Sequence, residues 1–174
     1  FALARYNTNG SLDPTFGSGG KVVTTFGLNH QDSLSAIGLQ PDRKIIAVGF
    51  TDVLDSTTYA GHFAIARYNA NGTLDTSFGP SHNGLVATSI LGHDYARSEV
   101  VLPDGTILVA GTASAIGSTT VSDALVRYNS DGTLDTSFGQ GGIVSGSFPP
   151  GASRGFWGGV ALETVNVGGT ATTK

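Results

Sequence analysis

Short apolar runs alternate with turn-forming pairs along most of the chain. Runs such as 45–48 and 107–110 are apolar at every position, a pattern typical of strands that are covered on both faces. Asn–Gly, Asp–Gly and Pro–Asp pairs stand between the runs, and these residues favour the positive or fixed φ angles of tight turns. No apolar run approaches the ~20 residues of a membrane-spanning helix. The pattern therefore predicts an all-β fold of short antiparallel strands, without membrane insertion.

One string of the sequence occurs three times, at spacings of about 60 residues. Residues 67–79 read Arg-Tyr-Asn-Ala-Asn-Gly-Thr-Leu-Asp-Thr-Ser-Phe-Gly, and residues 5–17 and 127–139 repeat this string with few changes. A fixed period of this size marks a repeat architecture. We predict a single domain over residues 1–174, built from repeat units at approximately 1–62, 63–123 and 124–174.

Each repeat unit contains two predicted hairpins. The first consists of an apolar run that ends in Arg-Tyr-Asn, a turn, and a β-branched run such as 21–26. The second joins 34–39 to 44–50 through a Pro–Asp turn, and its shortened copy in the third unit is expected to pair 159–162 with 165–169. Four antiparallel strands in each unit of ~60 residues are the signature of a β-propeller blade. We therefore predict an all-β propeller of such blades.

The order of the predicted strands leaves the propeller incomplete. The strands of a blade are lettered A to D outward from the channel, so that 34–39 and 44–50 are strands A and B of one blade. On this assignment the chain starts at a strand C, ends at a strand B and holds three blades' worth of strands, whereas propellers usually need four to eight blades to close. Two expectations stay open. Either the chain is a fragment or processed protein whose further blades lie elsewhere, or two copies form a homodimer that closes a six-bladed ring.

Residues 63–79, together with Leu-Pro-Asp-Gly-Thr-Ile-Leu-Val-Ala-Gly-Thr at 102–112, closely resemble the bacterial delta-60 repeat family. The resemblance extends from Phe1 to about Ala171, with departures at Arg43, at 80–84 and in the last hairpin. It implies β-propeller repeats of large exported or cell-surface bacterial proteins, and hence an extracellular or cell-surface location. It also implies a binding or structural scaffold, and it offers no catalytic residues to transfer.

Composition and motifs narrow the function classes. The net charge is −4 and the nine Lys and Arg residues are scattered, which disfavours nucleic-acid binding because that function needs a basic stripe. Cysteine is absent, which excludes thiolate metal sites and cysteine nucleophiles. No nucleophile elbow, zincin helix, phosphate loop or dinucleotide fingerprint occurs. We therefore expect no cofactor and favour a protein without enzymatic activity.

Polar residues inside the repeated string form one set of candidates. An Arg and an Asp recur eight residues apart in every copy. With the neighbouring Asn residues, the carboxylates could supply oxygen ligands to a cation, but the pattern lacks the bidentate Glu of a calcium loop, and Ca²⁺ needs six to eight oxygens. Buried charges persist when they are paired. We therefore predict structural pairs at Arg5 and Asp13, Arg67 and Asp75, and Arg127 and Asp135.

A second set of candidates lies outside the repeated string, on what we call the loop face. In propellers the D-to-A and B-to-C loops emerge on one side, which here collects 28–33, 51–62, 91–98, 112–123 and 148–155. Clustered His, Asp and aromatic residues in such loops suit recognition of a sugar or a protein, and paired His and Asp side chains could also hold a metal. The predicted ligand-binding residues are His30, Asp32, Tyr59, His62, His93, Asp94, Tyr95, Arg154 and Trp157, with Asp55 on the same face.

We predict a non-enzymatic scaffold or binding module whose partner is a protein or a glycan. Two alternatives remain open at this point. One is a lectin-like propeller that binds carbohydrate through Tyr59, Tyr95 and Trp157. The other is a propeller hydrolase or lyase with its site at the mouth of the channel. Whether a metal is bound is left open.

Overall fold

The computed structural model describes residues 1–54, 59–146, 160–161, 164–167 and 170–173. This part of the chain is all-β, as predicted, and contains no helix and therefore none that could cross a membrane. The strands are β1 (Ala2–Ala4), β2 (Lys21–Val23), β3 (His30–Leu39), β4 (Ile45–Leu54), β5 (Tyr59–Tyr68), β6 (Leu85–Thr88), β7 (Gly92–Val101), β8 (Ile107–Ala115), β9 (Ser122–Tyr128), β10 (Ile143–Gly146), β11 (Thr164–Val167) and β12 (Thr170–Thr173).

Antiparallel pairing groups the strands in chain order. Strands β3 to β6 pair successively to form what we call the first sheet, and β7 to β10 form the second sheet. Among the described residues, one parallel bridge between Gly61 and His93 links the two sheets, so that seven of the eight strands form an open path and β6 lies off it, paired with β5. Two further antiparallel pairs are separate from this path, β1 with β2 and β11 with β12.

Two apolar cores explain the unbroken apolar run at 45–48. Ile46 and Val48 belong to the core between the first and second sheets, while Ala47 belongs to the core between β1–β2 and the first sheet. Successive side chains of a strand point to opposite faces. Strand β4 is therefore covered on both faces, because the first sheet lies between two neighbours.

Each of the two sheets carries a β-bulge in the middle of its first strand. The register of β3 against β4 shifts between Leu34 and Ala36, and β7 shifts against β8 at the equivalent place. Glycine stands opposite each bulge, because a Cβ at Gly49 would lie 1.9 Å from the Ser33 carbonyl oxygen and a Cβ at Gly111 2.1 Å from that of Tyr95. These glycines permit a close approach of two backbones.

Two details of the predicted strands need correction, whereas the outer strands begin where they were predicted. After the Asn–Gly turn Tyr68 makes one isolated bridge to Leu74, and the β-branched run that follows forms β6, which begins at Leu85. The last hairpin does not pair 159–162 with 165–169, because Val165 pairs with Thr172. A two-residue Gly–Gly link between these strands is a stronger hairpin signal than Glu163–Thr164.

The second correction concerns the ends of the inner strands. The pattern places 28–33 and 91–98 in loops, but His30 begins β3 and Gly92 begins β7. The polar residues there are extended because β4 and β8 continue alongside them and pair with them. Several loop-face candidates therefore lie on strand ends, where backbone pairing fixes their positions.

Candidate functional site

The repeated string is centred on a buried arginine. In the middle copy, Arg67 Nε donates to Asp75 Oδ2 at 2.8 Å, Nη2 donates to Ser77 Oγ at 3.1 Å and Nη1 donates to the Ser130 carbonyl of the next unit. The guanidinium carbon lies 4.5 Å from the centre of the Phe78 ring. Charge-assisted hydrogen bonds and cation–π stacking thus act together on one side chain.

The Arg–Asp pair and the stacking of the guanidinium on a phenylalanine ring occur in the other two copies as well. Arg5 pairs with Asp13 at 2.9 Å and Arg127 pairs with Asp135 at 2.7 Å. In each copy the second carboxylate oxygen accepts hydrogen bonds from the residue two positions on, as Asp75 does from the Ser77 amide and hydroxyl. The carboxylates predicted as structural pairs are thus engaged within their own units.

Hydrogen bonding lowers the pKa of all three aspartates. The Thr15 hydroxyl is the main cause at Asp13, and the Ser137 hydroxyl is the main cause at Asp135. Burial raises the pKa of Asp75, but the Ser77 hydroxyl, Lys44 and Arg67 outweigh it and hold that pKa well below the usual range. These carboxylates are ionised at neutral pH.

The repeated string also connects each unit to the next. The amide of Gly17 donates to the Asn71 carbonyl at 2.8 Å, and the Tyr68 hydroxyl donates to Thr24 Oγ1 at 2.8 Å. Gly72 has φ of 86°, and a Cβ there would lie 2.9 Å from Phe16 Cε2. We call this set of contacts the clasp. Between the first and second units, the clasp joins one set of residues, Arg5, Phe16, Gly17 and Thr24, to a second set, Tyr68, Ala70, Asn71 and Gly72. The same contacts recur between the second and third units. There the first set is Arg67, Phe78, Gly79 and Thr88, and the second set is Tyr128, Ser130, Asp131 and Gly132.

Three of the loop-face candidates meet on the first sheet. Asp32, Thr51 and His62 are in register across β3, β4 and β5, and His30 Nδ1 lies 2.9 Å from Thr51 Oγ1. Asp32 Oδ2 accepts a hydrogen bond from the Phe26 amide at 3.0 Å. Burial raises the pKa of Asp32, but the Thr51 hydroxyl and the Phe26 amide produce a net decrease. In the strand register Asp32 lies opposite Thr51, and Thr51 separates it from His62. This is not the arrangement in which a carboxylate orients a histidine base.

Asp94 occupies the equivalent position on the second sheet. Its fully buried carboxylate accepts hydrogen bonds from the Ile90, Leu91 and Gly92 amides at 2.7, 3.0 and 3.2 Å. Asp32 and Asp94 thus both hold the turn that leads into an inner strand. The sequence hides this equivalence, because the bonded amide lies six residues before Asp32 but four before Asp94.

Tyr95 lies at the seam between the two sheets. Its ring meets Phe50 edge to face at 4.8 Å, and the Arg97 guanidinium carbon lies 5.6 Å from the ring centre. Burial, followed by the charge of Asp52, raises the pKa of the Tyr95 hydroxyl. Because Thr51 and Phe50 point to opposite faces of β4, the His30 group and Tyr95 lie on opposite faces of the first sheet.

The remaining candidates are only partly located. Tyr59 pairs with Leu54 at the start of β5, next to the bridge at His93. Asp55, Arg154 and Trp157 lie outside the described residues. Among the residues that the structure does describe, no group of three or more His, Asp or Glu side chains is arranged to hold a metal ion.

Sequence reasoning missed the exposed apolar side chains of the loop face. Leu28 is 92% exposed in the turn before β3, and Leu91, Ile116 and Val121 are exposed around the second sheet. Ile116 lies over Gly92, where a Cβ would meet its Cγ1 at 2.9 Å. Each of them is an apolar residue in a segment predicted as a loop, whereas the predicted binding residues of the loop face are all polar or aromatic.

A polar groove of about 430 Å³ opens at the opposite end of the sheets and was also missed. It lies between the turns that follow β3 and β7, and it is lined by Gln40, Asp42, Lys44, Arg67, Asp104 and Asp131. Lys44 Nζ pairs with Asp75 at 2.9 Å and lies 3.6 Å from Asp42. The lysine that lines the groove is therefore already close to two carboxylates.

Comparison with known proteins supports the repeat interpretation. No curated protein matches the chain. The family model described as "Domain of unknown function (DUF5122) beta-propeller" matches residues 1–16, 40–78 and 102–138, together more than half of the chain. These segments include nearly all of each copy of the repeated string and both Pro–Asp turns. The match confirms a β-propeller repeat family, while the delta-60 name stays a prediction. The chain belongs to the DUF5122 β-propeller family.

Proposed function

We propose that this chain supplies four-stranded blades to a non-enzymatic β-propeller scaffold whose loop face binds another protein. In this assignment the first and second sheets are complete blades, with β3 and β7 as their innermost strands. The pair β1–β2 supplies strands C and D of a further blade, and β11–β12 supplies strands A and B. The antiparallel order of the sheets and their face-to-face cores support this assignment.

The exposed apolar residues of the loop face carry the proposal. Leu28, Leu91, Ile116 and Val121 lie at the end of the sheets where the D-to-A and B-to-C connections run. Exposed apolar groups that cluster on one side of a soluble domain favour a protein interface. Tyr95 and Arg97 add the residue types that are enriched at the centres of such interfaces.

The repeated polar residues support a structural role rather than a catalytic one. Each Arg–Asp pair is engaged within its unit, and Arg5 and Arg67 also bind the unit that follows. The row formed by Asp32, Thr51 and His62 does not reproduce a proton relay, so we do not advance the hydrolase alternative. An exported or cell-surface location is part of the proposal, and it rests on the resemblance to delta-60 repeats.

Site-specific photocrosslinking tests the loop face. A photoreactive amino acid at position 116 is expected to crosslink a discrete protein in intact cells of the source organism. The same group at Ser81, an exposed residue away from the loop face, serves as the control, and Leu91→Asp should abolish the crosslink at 116. Identical crosslinks from positions 116 and 81, or none from 116, would argue against a protein-binding loop face.

A further inference from the structure

The inner strands of the two sheets meet along what we call the inner seam, formed by Ala36 and Gly38 of β3 and by Glu99 and Val101 of β7. A Cβ at Gly38 would lie 2.7 Å from Glu99 Oε1 and 3.2 Å from Val101 Cγ2. Ala36 and Val101 pack onto the apolar core at this place. The carboxyl group of Glu99 therefore lies against backbone and apolar atoms of the seam.

A carboxyl group is not what the repeat provides at this position. Counted from the β-bulge, Glu99 corresponds to Ile37, since Glu99 pairs with Val109 as Ile37 pairs with Ala47. An isoleucine suits a strand that faces a neighbouring sheet better than a glutamate does. Burying a carboxylate costs free energy unless the group is paired and hydrogen-bonded. A residue that departs from the local pattern in this way is a candidate for a role other than folding.

No partner compensates for the burial of Glu99. Within the described residues, the one hydrogen bond to its carboxylate comes from its own amide, and the carboxylate takes part in no ion pair. Burial is the main influence and raises the pKa of the Glu99 carboxyl group, while the amide offsets this only in part. The side chain is half-buried, so water can reach the carboxylate when the seam loosens.

The charged and titratable side chains of the surrounding strands lie away from the inner seam. Those nearer the loop-face end than Glu99 are His30 and Asp32 on β3, Asp52 on β4, Tyr59 and His62 on β5, and His93, Asp94, Tyr95 and Arg97 on β7. At the other end of β5, Arg67 pairs with Asp75 and Tyr68 binds Thr24. Strand β8 carries no charged residue. None of these groups is among the influences on the pKa of Glu99.

We propose that Glu99 makes the inner seam sensitive to pH: the neutral carboxyl group lets β3 and β7 pack closely, and loss of its proton to water loosens the seam. The ionised carboxylate needs water around it, because the seam offers no donor except its own amide. The sheets keep their pairing, since β3 and β7 remain bonded to β4 and β8. The proposal goes beyond the proposed function, because it concerns the contact between the sheets and not the loop face.

The sign of the effect follows from proton binding. Because its pKa is raised in the folded protein, Glu99 keeps its proton at pH values where the unfolded chain, with a glutamate pKa of about 4.3, has lost it. The folded state then binds more protons than the unfolded state, so stability falls as the pH rises through this window. Asp75 acts in the opposite direction and below about pH 4, so the effects of the two carboxylates are separable.

Urea denaturation of the full chain between about pH 4 and about pH 8 tests the proposal. Glu99→Gln keeps the shape of the side chain and cannot ionise. At about pH 8 its ratio of folded to unfolded molecules is expected to be about fivefold higher than that of the wild type, because one poorly solvated carboxylate is removed. The difference should vanish as the pH is lowered to about 4.

Asp104→Asn is the matched control for the denaturation series. The Asp104 carboxylate lies in an exposed turn, and the Thr106 amide is the main cause that lowers its pKa. Its removal should therefore leave the dependence of stability on pH unchanged above about pH 4.

An NMR titration follows the proton and the seam separately. Glu99 and Glu163 are the glutamates of the chain, so the glutamate carboxyl signal that is missing in Glu99→Gln belongs to Glu99. Its midpoint is expected above that of an ordinary glutamate. The amide signal of Gly38 should shift with the same midpoint in the wild type and should not do so in Glu99→Gln.

Three results would each overturn the proposal. One is a Glu99 midpoint at or below the ordinary value of about 4.3. Another is a Gly38 amide signal that does not follow the titration, since Glu99 would then have no effect on the seam. The last is a Glu99→Gln variant that is no more stable than the wild type at about pH 8. None of these results bears on the crosslink at position 116, so this proposal and the proposed function are tested separately.

Discussion

The Arg67 guanidinium combines charge, shape and stacking in one buried position. Its planar fork reaches Asp75, Ser77 and the Ser130 carbonyl while its face lies on Phe78. A lysine ammonium could keep the ion pair, but it cannot donate in three fixed directions or stack in the same way. The identity of this residue, and not only its charge, holds the two units together.

Arg67→Lys is therefore expected to lower the free energy of unfolding by about 2 kcal/mol. Arg127→Lys is the matched control, because the Arg127 side chain is more exposed and its hydrogen bonds stay within its own unit. The decrease in the free energy of unfolding should be less than half as large in Arg127→Lys as in Arg67→Lys. Urea denaturation of the two variants makes the comparison, and equal losses would show that the bond to the next unit contributes nothing.

The lowered pKa of Asp75 leads to a prediction of how the stability of the fold depends on pH. Its pKa is well below the usual range, because the hydrogen bond from Ser77 and the nearby Lys44 and Arg67 outweigh burial. The unfolded chain has an ordinary aspartate pKa of about 3.9. A depressed folded pKa stabilises the protein above that value, and the stabilisation is lost as the pH falls below it.

The free energy of unfolding should thus decrease steeply below about pH 4. In Asp75→Asn the slope is expected to flatten, with lower stability at neutral pH. Asp131→Asn is a suitable control, since the Asp131 side chain is exposed and its carboxylate accepts hydrogen bonds only from Thr133, so the loss of this carboxylate should change the slope less. If the acid slope of Asp75→Asn equals that of the wild type, the carboxylate is not the titrating group.

At the scale of the strands, the turns were the most predictable feature. Asn–Gly and Pro–Asp pairs dictate backbone angles locally, so the strands next to them were found from sequence alone. The extended conformation at His30 and Gly92 could not be found in this way, because it depends on pairing with β4 and β8. The equivalence of Asp32 and Asp94 was hidden for a related reason, since the two loops that they hold differ in length.

The glycine opposite the bulge of the second sheet gives a prediction about strand packing. A Cβ at Gly111 would lie 2.1 Å from the Tyr95 carbonyl oxygen and 2.8 Å from Phe63 Cζ. Gly111→Ala is therefore expected to cost roughly 2 kcal/mol or more of stability, because the backbone must move apart. Gly146→Ala meets open space and should change stability by less than about 0.5 kcal/mol. A thermal melt that cannot distinguish the two variants would contradict the close contact.

At the scale of the whole molecule, periodicity predicted more than any single residue did. The threefold string indicated a propeller family before any contact was known, and its residues form the clasp. The loop-face site was harder to predict, because its apolar residues do not repeat and its polar residues are partly used in turns.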